Sequence, residues 1–269
     1  MMNLKKTLFA PLLVMLATVA TYCANTQAEE METKRFDVKG FNQVSLKGSS
    51  HLKLIQGDSF EVVAVGPVST MPYVKVEVKG QRLELSVEEN TQNLFGFVTI
   101  SRGQGGEVNF TVTMPEIESL KVTGSGEARS SSIESEDLTL GVTGSGVINI
   151  DKAASENLKA YVTGSGDLFL NKALTVSGEV AVTGSGDMKI SSITGESLKA
   201  EIQGSGDLLV GGRVADVNVR IMGSGDFIGR SLRSDNAEGS IMGSGDIVLK
   251  RPGSDSFSIM GSGDVALVD

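Results

Sequence analysis

The tripeptide Gly-Ser-Gly occurs eight times in the chain, starting at Gly124, Gly144, Gly164, Gly184, Gly204, Gly223, Gly243 and Gly261. Successive starts lie 20 residues apart, apart from one step of 19 and a last step of 18. A fixed period of this size is the signature of a solenoid, a stack of near-identical turns in which each repeat contacts only its neighbours.

Aligning the chain on this tripeptide produces columns. Two residues before the first Gly stand Val122, Val142, Val162, Val182, Ile202, Ile221, Ile241 and Ile259, all β-branched, as a strand facing a packed interior prefers. The fourth residue after the first Gly is Ala128, Ile148, Leu168, Met188, Leu208, Phe227, Ile247 or Val265, and a further apolar column follows two positions on. Spacing by two puts these columns on one face of a strand. Each repeat therefore reads as strand, Gly turn, strand, then a polar stretch with another short strand such as Leu138-Thr139-Leu140. No window sustains helical apolar spacing, and Gly recurs too often for a helix. With about 4.8 Å added per coil, the mature chain is expected to make about twelve coils in a rod on the order of 55 Å long.

The Gly-Ser-Gly itself is read as a structural corner: Gly takes positive φ without penalty, Ser bonds nearby backbone, and stacked corners leave no room for a large side chain. A phosphate-binding loop needs a following helix and, for the Walker type, a Lys before Ser or Thr; neither is present, and that reading is rejected.

Residues 1–28 read as a secretory signal: Lys5 and Lys6 at the start, a short apolar core from Leu8 to Thr21, and Thr26-Gln27-Ala28 before the cut. The apolar run is too short for a lasting membrane span, and no second one follows, so no transmembrane segment is expected. The single cysteine, Cys23, lies inside this segment; the bulky Tyr22 before it argues against lipoprotein processing. Loss of Lys5 and Lys6 with the signal takes the net charge from −9 to −11. Such a chain repels nucleic acid, which is not expected as a partner.

Residues 29–120 are less regular but still read as β, and residues 121–269 form the regular repeat. Gly48-Ser49-Ser50 resembles a degenerate first copy of the turn. Val74, Val76 and Val78 alternate, then Lys79-Gly80-Gln81 turns into Leu83, Leu85 and Val87, a hairpin or coil corner. Residues 88–107, polar and Gly-rich around Phe95-Gly96-Phe97, read as an inserted loop. The irregular region is expected to continue the stack and cover its open end, with a separate small β domain as the other reading.

The Gly-Ser-Gly coils, the Met114-Pro115 strand leading to Leu120-Lys121-Val122 and the signal peptide resemble the family of putative autotransporter adhesins, head GIN domain, over nearly all of residues 36–268. The resemblance implies an all-β, right-handed β-helix with about 20 residues per coil, exported into a Gram-negative envelope, in the periplasm or on the cell surface. No C-terminal membrane barrel is expected after the last coil at Asp269, so self-anchoring in the outer membrane is not expected.

Two columns are candidate sites. Asp167, Asp187, Asp207, Asp226, Asp246 and Asp264 each directly follow a Gly-Ser-Gly, where the first two copies carry Glu127 and Val147. Neighbouring carboxylates about 4.8 Å apart repel by about 0.9 kcal/mol in water and by roughly 3.5 kcal/mol at an effective dielectric of about 20. The column therefore faces solvent or holds cations. In the plainer reading each Asp accepts a backbone N–H at its turn; a calcium ladder is the sharper one. The second column precedes the first Gly: Thr123, Thr143, Thr163, Thr183, Gln203, Met222, Met242 and Met260. Its neighbour column points inward, so it is expected outward, and Met222, Met242 and Met260 then form an apolar stripe for self-association or a partner, unless local twist tucks them into a corner.

No catalytic constellation appears. His51 is the only histidine, and without a second His or a mature Cys no zinc site can be drawn. Lys250-Arg251, Arg230 and Arg233 are scattered. No cofactor is expected. The expected function is a non-catalytic binding or adhesion module of the cell envelope that presents a repetitive flank to a protein or glycan. A self-associating periplasmic structural protein, joined through its C-terminal edge or the Met stripe, is the alternative, and a polysaccharide-active β-helix enzyme is the third reading.

Overall fold

A computed structural model describes residues 29–88, 90–94, 98–102 and 107–269. The signal segment, Cys23 and Phe95-Gly96-Phe97 lie outside the described residues.

The described residues are almost entirely β and wind into a solenoid of about eight turns. The N-terminal region contributes β1 (Met31–Phe36), β2 (Gln43–Gly48), β3 (His51–Gln56), β4 (Glu61–Pro67), β5 (Val74–Lys79), β6 (Arg82–Val87), β7 (Asn90–Leu94), β8 (Val98–Arg102) and β9 (Asn109–Met114). The repeats follow as β10 (Ser119–Gly124), β11 (Glu127–Ser130), β12 (Ile133–Gly144), β13 (Val147–Gly164), β14 (Asp167–Gly184), β15 (Met188–Thr194) and β16 (Ser197–Gly204). The last coils hold β17 (Leu208–Arg213), β18 (Asp216–Gly223), β19 (Phe227–Arg233), β20 (Asn236–Gly243), β21 (Ile247–Lys250), β22 (Ser254–Gly261) and β23 (Val265–Val268).

Neighbouring coils of the repeat pair in parallel, and their glycine corners stay in register. Gly124 sits on Gly48, Gly144 on Gly124, and so on to Gly261 on Gly243. The imperfect turn at Gly48 is thus the first copy of the corner. One side of the solenoid runs from β6 through β2 and β10 to β22, and a second runs from β9 through β3 and β11 to β23. The column Val122, Val142, Val162, Val182, Ile202 and Ile221 is fully buried, as are Leu168, Met188, Leu208, Phe227 and Ile247 across the corner. These side chains stack on their equivalents one coil away and form a continuous core along the axis.

The corner explains its own sequence. Gly124 has φ +109°, and a Cβ there would lie 2.7 Å from the Gly48 carbonyl oxygen. Gly126 has ordinary φ, yet a Cβ on it would lie 2.6 Å from the Ser50 oxygen. The first glycine is required by its dihedral and the second by the backbone of the coil beneath it. Ser125, between them, points to solvent. The 19-residue step is absorbed by register shifts between Ile190 and Ile193 and between Leu209 and Gly211.

At the N-terminal end the parallel stack gives way to antiparallel strands: β5 on β6 on one side, β4 on β9 and β1 on β4 on the other. Lys79-Gly80-Gln81 is a hairpin turn, with Gly80 at φ +63°. Two expectations need correction. The twelve coils were too many, because β1, β4, β5, β7 and β8 pair antiparallel and add no coil to the parallel stack. The inserted loop is not irregular throughout, since β7 and β8 pair as an antiparallel hairpin. The β-branched run Val98-Thr99-Ile100 was the signal that the polar composition around it obscured.

Candidate functional site

On the second side of the solenoid, outward side chains of β9, β3, β11 and β13 line an open groove of about 730 Å³. Register fixes its rows. Asn109, His51 and Glu127 form one row; Thr111, Lys53, Arg129 and Asn149 form the next. Strand alternation sends Leu52, Leu54 and Phe110 into the core, so the outward positions between them are polar.

Glu127 is the hub. Its Oε1 accepts Arg129 Nε at 2.6 Å and Asn149 Nδ2 at 2.9 Å. The Arg129 hydrogen bond holds the Glu127 carboxyl below the usual carboxylate range, against the opposing effect of partial burial, with the Arg129 charge, His51 and Asn149 adding to it. His51 stands between two carboxylates, 3.4 Å from Glu107 and 3.7 Å from Glu127. Lys53, beside Arg129 in the next strand, has no hydrogen-bond or ion-pair partner among the described residues.

The aspartate column forms a ladder that runs between coils. The N–H of Asp187 donates to Asp167 Oδ1, Asp207 to Asp187, Asp226 to Asp207, Asp246 to Asp226 and Asp264 to Asp246, at 2.8–3.1 Å. Each Asp was expected to accept a backbone N–H at the turn; the amide that these carboxylates accept belongs to the turn of the next coil. In the coils that lack a preceding Asp, the equivalent amides of Glu127, Val147 and Asp167 bond to the carbonyls of Ser50, Gly126 and Gly146 instead. Among the described residues no group of three or more His, Cys, Asp or Glu side chains is arranged to hold a metal ion.

The column before the first Gly points outward. Met222 is half-buried, whereas Met242 is 56% and Met260 68% exposed, and the three lie in register on successive coils. The inward column fails only in the last coil, where Ile259 is 46% exposed against 2% for Ile241. Arg251 reaches Asp269 at 3.5 Å, and Arg230 and Arg233 are exposed; these cations form no common site with Lys250.

The groove was missed by the column reading, although the signal was present. If Gly48-Ser49-Ser50 is the first copy, His51 falls in the aspartate column and Lys53 aligns with Arg129, Asn149 and Phe169, the outward column two residues later. The aspartate column is the most repetitive part of the chain, whereas the groove lies where the repeat is least regular.

A family model described as "Putative auto-transporter adhesin, head GIN domain" matches residues 40–174 and 170–268. Among solved structures, a "putative adhesin from Parabacteroides merdae ATCC 43184" is 19% identical, with a TM-score of 0.77 over 90% of this chain and 98% of that one. A "putative adhesin from Parabacteroides distasonis ATCC 8503" is 19% identical with a TM-score of 0.75, over the same shares. A "Putative lipid binding protein" from the same organism is 21% identical with a TM-score of 0.65, again over 90% and 98%. At these identities the likeness carries the fold alone. The comparison with curated proteins finds no match.

Proposed function

The chain belongs to the family described as "Putative auto-transporter adhesin, head GIN domain", and on that premise we propose that it is a non-catalytic binding module of the cell envelope. Residues 1–28 direct its export, residues 29–120 close one end of the stack, and residues 121–269 present the repetitive flank. The observation that carries this reading is the groove where the N-terminal strands β9 and β3 meet the first repeats, β11 and β13. Rigid, register-locked strands hold its charged and amide side chains, and its volume suits a ligand. The aspartate column belongs to the scaffold in this reading, because its carboxylates serve the amides of the next coil. Beads coated with residues 29–269 should adhere to mucin-coated or biofilm-coated surfaces when the protein is folded and lose that adhesion when it is heat-denatured. Equal adhesion by both preparations would contradict a folded binding surface.

One observation favours a second reading, self-association through the last coil. The N-terminal edge strands carry alternating charges: Glu32, Lys34 and Arg35 on β1, and Lys75, Glu77 and Lys79 on β5. The other end has β22 (SDSFSIMG) and β23 (VALV), with one acid and no basic residue, beside exposed Ile259 and Met260. Unprotected edges of this kind pair with other strands. Sedimentation should then show mass rising with concentration, and Ile259→Lys should hold the chain monomeric. A monomer at all concentrations would remove this reading.

A further inference from the structure

We propose that the groove over β9, β3, β11 and β13 is a subsite for a carboxylated sugar, whose carboxylate is held between Lys53 and Arg129. This rests on the binding-module reading and names the ligand class of the same site.

The first argument is the pair of cations itself. Lys53 and Arg129 are direct register partners on adjacent strands, about 4.8 Å apart across the sheet. Like charges placed opposite one another destabilise a sheet, and Lys53 has no compensating partner among the described residues. An anion bridging the two removes that repulsion.

The second is the way Arg129 is held. Glu127 Oε1 takes the Nε hydrogen, and Asn149 Nδ2 donates to the same oxygen and helps fix the carboxylate. Among the described residues the terminal nitrogens of the guanidinium have no partner, and their planar fork matches the two oxygens of a carboxylate. A supporting residue that orients a cation and leaves its recognition edge open is the arrangement of a binding site rather than of a closed surface ion pair. A second groove of about 440 Å³ on the other side lacks this feature, since its Lys199 is engaged by Glu179, which also contacts Lys159.

The third argument separates a sugar from other anions. Asp151 at the rim accepts Asn171 at 3.1 Å, and exposed carboxylates such as Asp151 and Glu107 are acceptors suited to hydroxyl groups. One strand beyond Asn149 in the same row, Phe169 is 36% exposed and offers an apolar ring. The same acids, on a chain of net charge −9, repel a polyanion. The surface therefore selects a ligand with isolated carboxylates among many hydroxyls.

The test titrates the whole exported chain with sialyllactose, digalacturonate, lactose and heparin, read by calorimetry. At least one of the two acidic sugars should bind, with lactose at least about tenfold weaker and with affinity falling as salt rises. Lys53→Gln and Arg129→Gln should each weaken binding about tenfold, while Lys172→Gln, outside the groove, should leave it unchanged. Thermal melts confirm that each variant is folded. The proposal is overturned if neither acidic sugar binds, if lactose binds equally well, if Lys172→Gln matches Lys53→Gln, or if heparin binds more tightly than both sugars. Adhesion of folded beads without binding of either sugar would leave the binding module standing and remove this subsite. Sugar binding without bead adhesion would keep the subsite and the binding module and remove adhesion to those surfaces alone.

Discussion

The backbone N–H of Asp187 donates to Oδ1 of Asp167, 3.1 Å away in the preceding coil. From Asp167 to Asp246 each carboxylate satisfies the amide that follows it in the stack, whereas in the earlier coils a backbone carbonyl does so. This accounts for acidic side chains stacked in a column despite their mutual repulsion. Asp207→Ala should destabilise the protein by about 1–2 kcal/mol, because the Asp226 amide loses its acceptor. Asp207→Asn keeps an acceptor and removes a like charge, so it should be neutral or mildly stabilising. Denaturant unfolding of the two variants separates the effects; equal destabilisation by both would mean the charge matters rather than the bond.

Calcium should leave the melting temperature unchanged. One oxygen of each carboxylate from Asp167 to Asp246 is already engaged by an amide, and among the described residues no cluster of three ligating side chains has formed. A rise of several degrees that EDTA reverses would contradict this account of the column.

Gly204→Ala should be among the most damaging single substitutions in the repeat. Gly204 has φ +127°, and a Cβ there would lie 2.3 Å from the Gly184 carbonyl oxygen, so strain and steric conflict coincide. A loss of more than about 3 kcal/mol is expected. Ser205→Ala, in the same turn but exposed, should change stability by less than about 0.5 kcal/mol. Comparable melting temperatures for the two variants would undo the explanation of the corner.

Acid should weaken the N-terminal end through Glu84. Hydrogen bonds from Lys79 at 2.8 Å and Lys47 at 2.9 Å lower its carboxyl from 4.5 to about 2. A depressed folded-state pKa contributes stability above the unfolded value, and that contribution is lost as pH falls through the folded one. The stability difference between the wild type and Glu84→Gln should therefore be constant above about pH 5 and shrink as pH falls from 4.5 towards 2. A difference that does not change over this window would show that the lysines do not engage Glu84 in solution.

The solenoid was legible because its physics repeats. Each Gly-Ser-Gly needs the same dihedral at its first glycine and the same clearance at its second, so selection wrote one tripeptide eight times. The inward columns were legible for the same reason up to Ile241. Ile259 departs because its burial depends on a further coil above it, which a column alignment does not register. The pairing of β5 with β6 was legible in the Lys79-Gly80-Gln81 turn, whereas β4 pairs with β1 and β9, which lie far from it in sequence, and no local signal names those partners. The groove was hidden for a related reason: Lys53 and Arg129 lie 76 positions apart and meet only through the register of β3 on β11. Once Gly48 is taken as the first corner, that register follows.

The most direct measurement is accessibility in intact cells. Protease treatment, or labelling with an antibody against residues 29–269, should reach the protein in unbroken cells while a periplasmic control stays protected. Protection in intact cells, with digestion only after lysis, would contradict a surface-displayed binding module and leave the self-associating periplasmic scaffold in its place.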